Sequence, residues 1–496
     1  MACKKNISFD NSLYLKLQSE KILERVNKFE NKLYIEFGGK IFDDYHASRV
    51  LRGFEIDSKI KVLSKLRDKV EILITISADD IQSFKSRSDV GLTYESDVLR
   101  LIDYFNDHNL YVGSIVITKY NHQPLADVFR TKLMNLGLTT YLHYPIEGYP
   151  YNVNHVLSEN GFGKNDYAKT SRPIVVVTAP GPGSGKMATC LSQLYHEHMN
   201  GQKSGYAKFE TFPVWNLPLK HPVNIAYEAA TANLNDVNVN DYFHFEAYGK
   251  TTVSYNRDLE VFPILKQIFE RIYGESPYKS PTDMGVNMLG FCIRDNERAI
   301  ESSKQEIVRR FLDAKCMQKL GKLNISTFEK LNFIMKSLDL TVDYRKSVKA
   351  CLDKASKTGL SSVAIELTNG KIITGKKSDL LEATSAAIIN SLKYYAKITD
   401  DMPLLSPSII EPIQTLKSNF LHKTSYRLNL DEVLIALAIT AKTNAMAEKA
   451  LAQLPKLKWA QMHSSVMLHN DEVSLLKSLN IDVTTETNQD TLLLQR

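Results

Sequence analysis

The chain has 496 residues, 43% hydrophobic and 24% charged, which is ordinary for a globular protein and, at roughly 150 residues per domain, long enough for about three domains. Its 62 basic and 56 acidic side chains leave a net charge of only +6, without the concentrated basic face that nucleic-acid binding needs. The five cysteines are widely spaced with no Cys-x-x-Cys, so neither a disulfide framework nor a zinc site is indicated; no apolar run reaches the ~20 residues of a membrane span; and Met-Ala-Cys-Lys-Lys leads into polar residues rather than a secretory core. The reduced cytoplasm is the expected compartment, with no nucleic-acid or membrane partner.

The front of the chain alternates strand and helix patterns. Strands are predicted over 33–37, 70–77, 111–118, 139–143 and 174–178, with helices over 56–69, 97–106 and 125–136. Near-continuous apolar strands separated by helices predict a parallel sheet covered on both faces, a Rossmann-like α/β domain over 1–275. Residues 213–257 are rich in Asn, Pro, Tyr and His and read as irregular. Helical spacing over 261–274, 289–320, 327–338 and 344–358 predicts a helical subdomain over 276–360. The long run from Leu289 to Leu320 offers either a buried face or a surface for a homo-oligomer.

The remainder, 361–496, reads as a small C-terminal α/β domain. Asn369-Gly370 between apolar alternations predicts a hairpin over 362–374. A helix over 378–396 with Ser378 as its N-cap follows, then a linker over 403–412. A helix over 430–454, a strand over 460–467, a helix over 472–478 and a strand over 481–485 complete the pattern, with a frayed polar tail beyond Thr485.

The strand ending at Thr178 runs into Ala179-Pro-Gly-Pro-Gly-Ser-Gly-Lys186 and then a helix. Amides of such a turn, the free N–H groups of the helix start and a lysine at the rim make an anion site. Gly181, Gly183, Ser184, Gly185, Lys186 and Thr189 are the candidate phosphate ligands, with Lys40 of the Gly38-Gly39-Lys40 turn nearby if the strands are parallel. The match to G-x-x-x-x-G-K-[ST] is incomplete: Pro180 stands at the first glycine and Met187 at the hydroxyl that would meet Mg²⁺. Such loops usually follow a first strand, whereas here strands at 33, 70, 111 and 139 precede it. Asp79 and Asp80, at the end of an apolar strand, read either as Mg²⁺ ligands or as acids stabilising a helix start.

Lys186, Lys208, Glu210, His221, His244 and Arg257 are the candidate catalytic side chains, the last five lying in or beside the polar and aromatic stretch after residue 208. Asp43-Asp44-Tyr45-His46 reads as a helix start, and Ser280-Pro-Thr-Asp283 as a cap or a site closure. No Gly-x-Ser-x-Gly elbow, His-Glu-x-x-His or kinase signature occurs.

Taken with Glu36-Phe-Gly-Gly-Lys-Ile-Phe-Asp-Asp-Tyr-His-Ala47, Lys208-Phe-Glu-Thr-Phe-Pro213, His221-Pro-Val-Asn224 and Ser280-Pro-Thr-Asp-Met-Gly-Val-Asn287, these motifs resemble, over essentially the full length, a family of uncharacterised bacterial proteins of about 500 residues, a conserved domain of unknown function. The resemblance implies a Rossmann-like front half, a helical insert and a small α/β back domain, and carries no established activity. Some members are labelled ATP-dependent peptidases, but this sequence has no peptidase nucleophile or metal motif. The expected ligand is a small phosphorylated molecule, such as ATP or another nucleotide with Mg²⁺, used for phosphoryl transfer or substrate activation. The alternatives are a non-catalytic sensor of such a ligand and a hydrolase of a phosphorylated compound using His244 and Glu246.

Overall fold

The computed structural model describes residues 6–30, 32–87, 91–234 and 236–488. Two compact units result, one of residues 7–228 and 236–300, the other of 1–6, 229–235 and 301–496. The helical stretch 276–360 is thus shared between the two rather than standing alone. From Glu301 on, its helices belong with the second sheet, and Lys346–Thr358 packs directly on strands of that sheet.

The first unit is built on a six-stranded, wholly parallel sheet. Its strands are β1 (Leu33–Phe37), β2 (Val70–Ser77), β3 (Tyr111–Thr118), β4 (Thr140–Leu142), β5 (Ile174–Thr178) and β6 (Gly205–Phe209), in the order β4-β3-β2-β5-β1-β6. β2 and β5 are buried at every position, as both-face cover requires. The chain moves outward from β1 through β2, β3 and β4, returns to fill the gap between β2 and β1 with β5, and then passes over β1 to β6. The connection after β5 therefore leaves in the opposite sense to the one after β1. In open α/β sheets this reversal opens a crevice at the carboxyl ends of the strands. The Pro-Gly turn stands there.

β6 lies outside the elements predicted from sequence. Its residues Gly205-Tyr-Ala-Lys-Phe209 are short and interrupted by Lys208, and they merge into the aromatic stretch that follows. The helix Asn11–Lys28 is likewise unpredicted. Its buried stripe is Tyr14, Gln18, Ile22 and Val26, and Gln18 breaks the apolar period while donating to Val286 O and accepting from Met288 N. Residues 213–257, read as irregular, hold the helices Pro222–Ala230 and Tyr242–Tyr248 and the antiparallel pair β7 (Asn238–Asn240) and β8 (Val253–Tyr255). The helix pattern over 289–320 resolves into a turn of 3₁₀ helix at Leu289–Cys292 and the helix Asn296–Lys319.

The second unit carries a four-stranded sheet of β9 (Ser362–Glu366), β10 (Ile372–Lys376), β11 (Gln461–Ser464) and β12 (Asp482–Thr485), in the order β10-β9-β11-β12. β9 and β10 form the Asn369-Gly370 hairpin. Ser378 does not cap a helix: its Oγ accepts from Leu380 N and Leu381 N in a local turn, and the helix is Ala383–Ala396 with Glu382 at its N-cap. The stretch 403–412 is not a linker, since Pro407 opens the helix Pro407–Thr415. The helix expected over 430–454 breaks after Thr440, where Asn444 caps a new helix, Ala445–Leu451, through Met446 N and Ala447 N. Arg345, fully buried, ties this sheet together by donating to the Gln461 side chain, Met462 O and Asp482 O. The tail from residue 489 lies outside the described residues. The four cysteines described are free, and no helix among the described residues is long and apolar enough to cross a membrane.

One buried carboxylate fixes where β5 begins. Glu71 of β2, 2% exposed, accepts from Ser171 N (2.7 Å), Ser171 Oγ (3.1 Å) and Arg172 N (3.1 Å). Glu71→Ala would orphan these donors, and should lower unfolding stability by about 2–4 kcal/mol in urea melts. A loss below about 1 kcal/mol would show that β5 holds its place without Glu71.

Candidate functional site

The turn after β5 is shaped by backbone conformations that side chains resist. Gly183 has φ +80°, and Gly185, the N-cap of the helix Lys186–Met199, has φ +86° and ψ +18°. A Cβ at Gly185 would also come within 2.9–3.1 Å of the Thr118 side chain, so both torsion and space demand glycine. A left-handed residue followed by right-handed helical ones turns successive N–H groups to one side, the anion-binding nest.

Two of the turn's carbonyls, by contrast, are occupied by side chains. Ser184 Oγ donates to Gly181 O (3.0 Å), and Thr118 Oγ1, at the end of β3, donates to Ser184 O (2.9 Å). Ser184 is fully buried, with its N–H inside the hydrogen-bonded turn at Pro182-Gly183, and among the described residues no protein acceptor meets the N–H groups of Gly183, Gly185 or Lys186. Pro182 and Gly183 are exposed, so the concavity faces solvent. Lys186 is half-buried and forms no ion pair among the described residues. Thr189, in the first turn of the helix, is fully buried, and its Oγ1 has no partner.

On the β2–β3 side, Asp79 and Asp80 occupy the first turn of the short helix Ala78–Gln82. Gln123 Nε2 donates to Asp79 Oδ1 (3.0 Å), and Lys85 pairs with Asp80 Oδ1 (3.0 Å), while the Asp80 Oδ2 atom is buried without a partner. Among the described residues no three His, Cys, Asp or Glu side chains converge as metal ligands. These two acids do not by themselves fit a protein-held Mg²⁺, which prefers octahedral oxygen coordination. Lys85 also lies over the ring of Tyr94, whose side chain covers Gly181.

On the β1–β6 side a group of charges sits at the carboxyl edge, on the sheet face covered by the helix Lys186–Met199. Glu36 stands opposite Lys208 in register. Lys208 Nζ holds both oxygens of Asp258 (2.6 and 2.7 Å) and Glu210 Oε1 (3.2 Å), while Tyr206 OH donates to Glu36 Oε2 (2.7 Å). Burial opposes the charge on Lys208, but Asp258 and Glu210 outweigh it and hold its pKa above the ordinary value. For Glu210 burial wins over the lysine, and its carboxyl is pushed up to about 7. It nevertheless keeps 27% of its side-chain surface open. Gly38 makes room for it: a Cβ there would lie 2.6 Å from Glu210 Cγ. Burial, then Glu36, raise the Cys190 thiol well above its usual range, and Lys186 opposes them, so one buried thiol senses both the nest lysine and this carboxylate group.

The other predicted residues lie in different settings. Lys40 is exposed, and its carbonyl accepts from Lys59, whose ammonium also pairs with the buried Asp44 (3.0 Å). His221 anchors the start of the helix Pro222–Ala230, with Nδ1 accepting from Val223 N and Nε2 next to Asn296 Oδ1 (3.0 Å); burial, against Asn296, lowers its pKa. His244 Nδ1 lies 2.8 Å from Ser280 Oγ, but Glu246 on the same helix is exposed, so the two form no pair. Arg257 is 59% exposed and pairs with Asp236 (2.7 Å). The structure thus gathers Lys208, Glu210 and Asp258, sets Thr118 against the turn, and adds Glu36 to the edge. A glutamate inside the apolar strand Leu-Tyr-Ile-Glu-Phe was the available signal for Glu36.

Comparison with known proteins agrees with this architecture without supplying an activity. The domain of unknown function DUF1846, N-terminal, matches residues 7–339, and its C-terminal counterpart matches residues 343–493. The chain is 54% identical over 480 residues, 97% of each chain, to UPF0371 protein str1377 of Streptococcus thermophilus (strain CNRZ 1066). It shares the same identity and coverage with UPF0371 proteins of Streptococcus sanguinis (strain SK36) and Streptococcus pyogenes serotype M5 (strain Manfredo). The chain belongs to the DUF1846 family.

Proposed function

We propose that this protein binds a phosphate-bearing small molecule, a nucleotide or a phosphorylated metabolite, on the turn between β5 and the helix Lys186–Met199, and acts on it in the cytoplasm. The observation that carries this reading is the set of N–H groups of Gly183, Gly185 and Lys186, on residues that are exposed or partly exposed and without a protein acceptor among the described residues, beside a lysine with no ion-pair partner there. Amides at a helix start with the positive end of its dipole favour a tetrahedral anion. Lys186 would neutralise its charge, and in a phosphoryl-transfer step that developed on the transferring group. The carboxylate–lysine group on the same sheet face supplies acid–base chemistry, which favours an enzyme over a passive binder.

Met187, at the place where a metal-binding hydroxyl would stand in a nucleotide-hydrolysing loop, supports the second reading, a sensor that binds without turnover. Any Mg²⁺ would then arrive on the ligand rather than on these residues. Free cysteines among the described residues suit a reducing compartment.

Lys186→Ala should weaken ADP binding at least about tenfold by titration calorimetry. The melting temperature without ligand should stay nearly unchanged, because Lys186 forms no ion pair that its loss would break. Equal affinity in the variant would overturn the assignment. Inorganic phosphate should bind equally well with added magnesium or with EDTA, and a loss of about tenfold or more on chelation would place a metal in the site.

A further inference from the structure

We propose that Glu210 is the proton acceptor of the anion site: it takes up a proton as an anion settles on the amides of Gly183, Gly185 and Lys186, and gives it back on release. This rests on the phosphate-site reading above and extends it to the chemistry beside the phosphate.

The geometry follows from one helix face. Gln193 Nε2 reaches Tyr34 OH on β1 (3.3 Å). Thr189 is one turn closer to the helix start on the same face, and Glu36 is the next same-face residue of β1 towards the carboxyl edge. The buried Thr189 hydroxyl, without a hydrogen-bond partner, therefore lies on the helix face that carries Gln193 towards β1. Cys190, one turn from Lys186, lies within electrostatic reach of both Lys186 and Glu36. Across the register from Glu36 is Lys208, and Glu210 follows two residues on, just past the end of β6 and against Gly38 just past β1.

Within this group three carboxylates face one ammonium. Lys208 spends both close contacts on Asp258 at 2.6 and 2.7 Å, and Glu210 has the longer 3.2 Å contact and the most open side chain of the three residues. The remaining titratable groups facing Glu210 are Glu36 from β1, Tyr227 from the helix Pro222–Ala230 and Tyr255 from β8. Burial and then neighbouring groups keep both phenols protonated, so neither adds a negative charge beside Glu210. A carboxyl already pushed up to about 7 is poised to exchange its proton at neutral pH. An added anion raises its pKa further, so binding is tightest below pH 7 and weakens as pH rises through it. Unit charges about 10 Å apart at an effective dielectric near 20 change affinity on the order of tenfold.

Sulfate is the probe, a tetrahedral dianion that does not titrate at neutral pH. Calorimetry in buffers of different ionisation enthalpy should show proton uptake by the wild-type protein near pH 7. Its affinity should fall on the order of tenfold between about pH 6 and about pH 8.5. Glu210→Gln should bind sulfate with a pH-independent affinity and no proton exchange, while Glu210→Asp, which keeps the carboxylate, should retain uptake. Wild-type heats that do not depend on buffer, or uptake that persists in Glu210→Gln, would overturn the proposal and leave the anion site standing. Absence of sulfate binding at every pH would overturn both readings. Should Glu210→Gln fail to fold, wild-type and Glu210→Asp calorimetry still decides, since uptake must be present in both.

Discussion

The first unit is organised around a turn in which side chains tie down two carbonyls while the N–H groups of Gly183, Gly185 and Lys186 have no protein acceptor among the described residues. Ser184 and Thr118 side chains occupy Gly181 O and Ser184 O, which fixes the conformation of the turn. Buried polar groups are ordinarily paired. The N–H groups of Gly183, Gly185 and Lys186, which have no protein acceptor among the described residues, are the donors that the proposed anion would use. The fixed placement of β5 makes this possible: Glu71 pins its entry and Thr118 its exit, with a strand buried at all positions between.

That turn also explains the distribution of charge along the sheet edge. The nest and Lys186 form a positive end on β5. The adjoining strands β1 and β6 present Glu36 and Glu210 on the face where the helix Lys186–Met199 lies, with Lys208 moderating them. Because β5 enters between strands formed earlier in the chain, residues 36, 186 and 208 meet at one edge although they are far apart in sequence. Opposite charges brought to either side of a crevice suit a ligand that is anionic at one end and gives up or accepts protons at the other.

The parallel sheet and the glycine turn are legible in the sequence because their signals are local. An apolar run such as Ile174–Thr178 has few alternatives to a buried strand, and Gly183 and Gly185 mark left-handed backbone. The elements that escape are those whose pattern is set by a distant partner. Gln18 is buried because Val286 and Met288 satisfy it, and Lys208 lies inside a strand because Asp258 and Glu210 neutralise it, so both segments look too polar when read alone. The same cause divides the candidate site. Lys208 and Glu210 were visible as polar residues near a motif. Glu36 gains its role only from strand order, and His221, His244 and Arg257 prove to be engaged by Asn296, Ser280 and Asp236 instead.

The open donors of this turn can be observed directly. Amide NMR of protein labelled with ¹⁵N at glycine and lysine, titrated with inorganic phosphate, should move the resonances of Gly183, Gly185 and Lys186 saturably and downfield, as N–H groups accept a charged partner. Resonances that stay fixed through the titration, or shifts confined to residues elsewhere in the chain, would contradict the account.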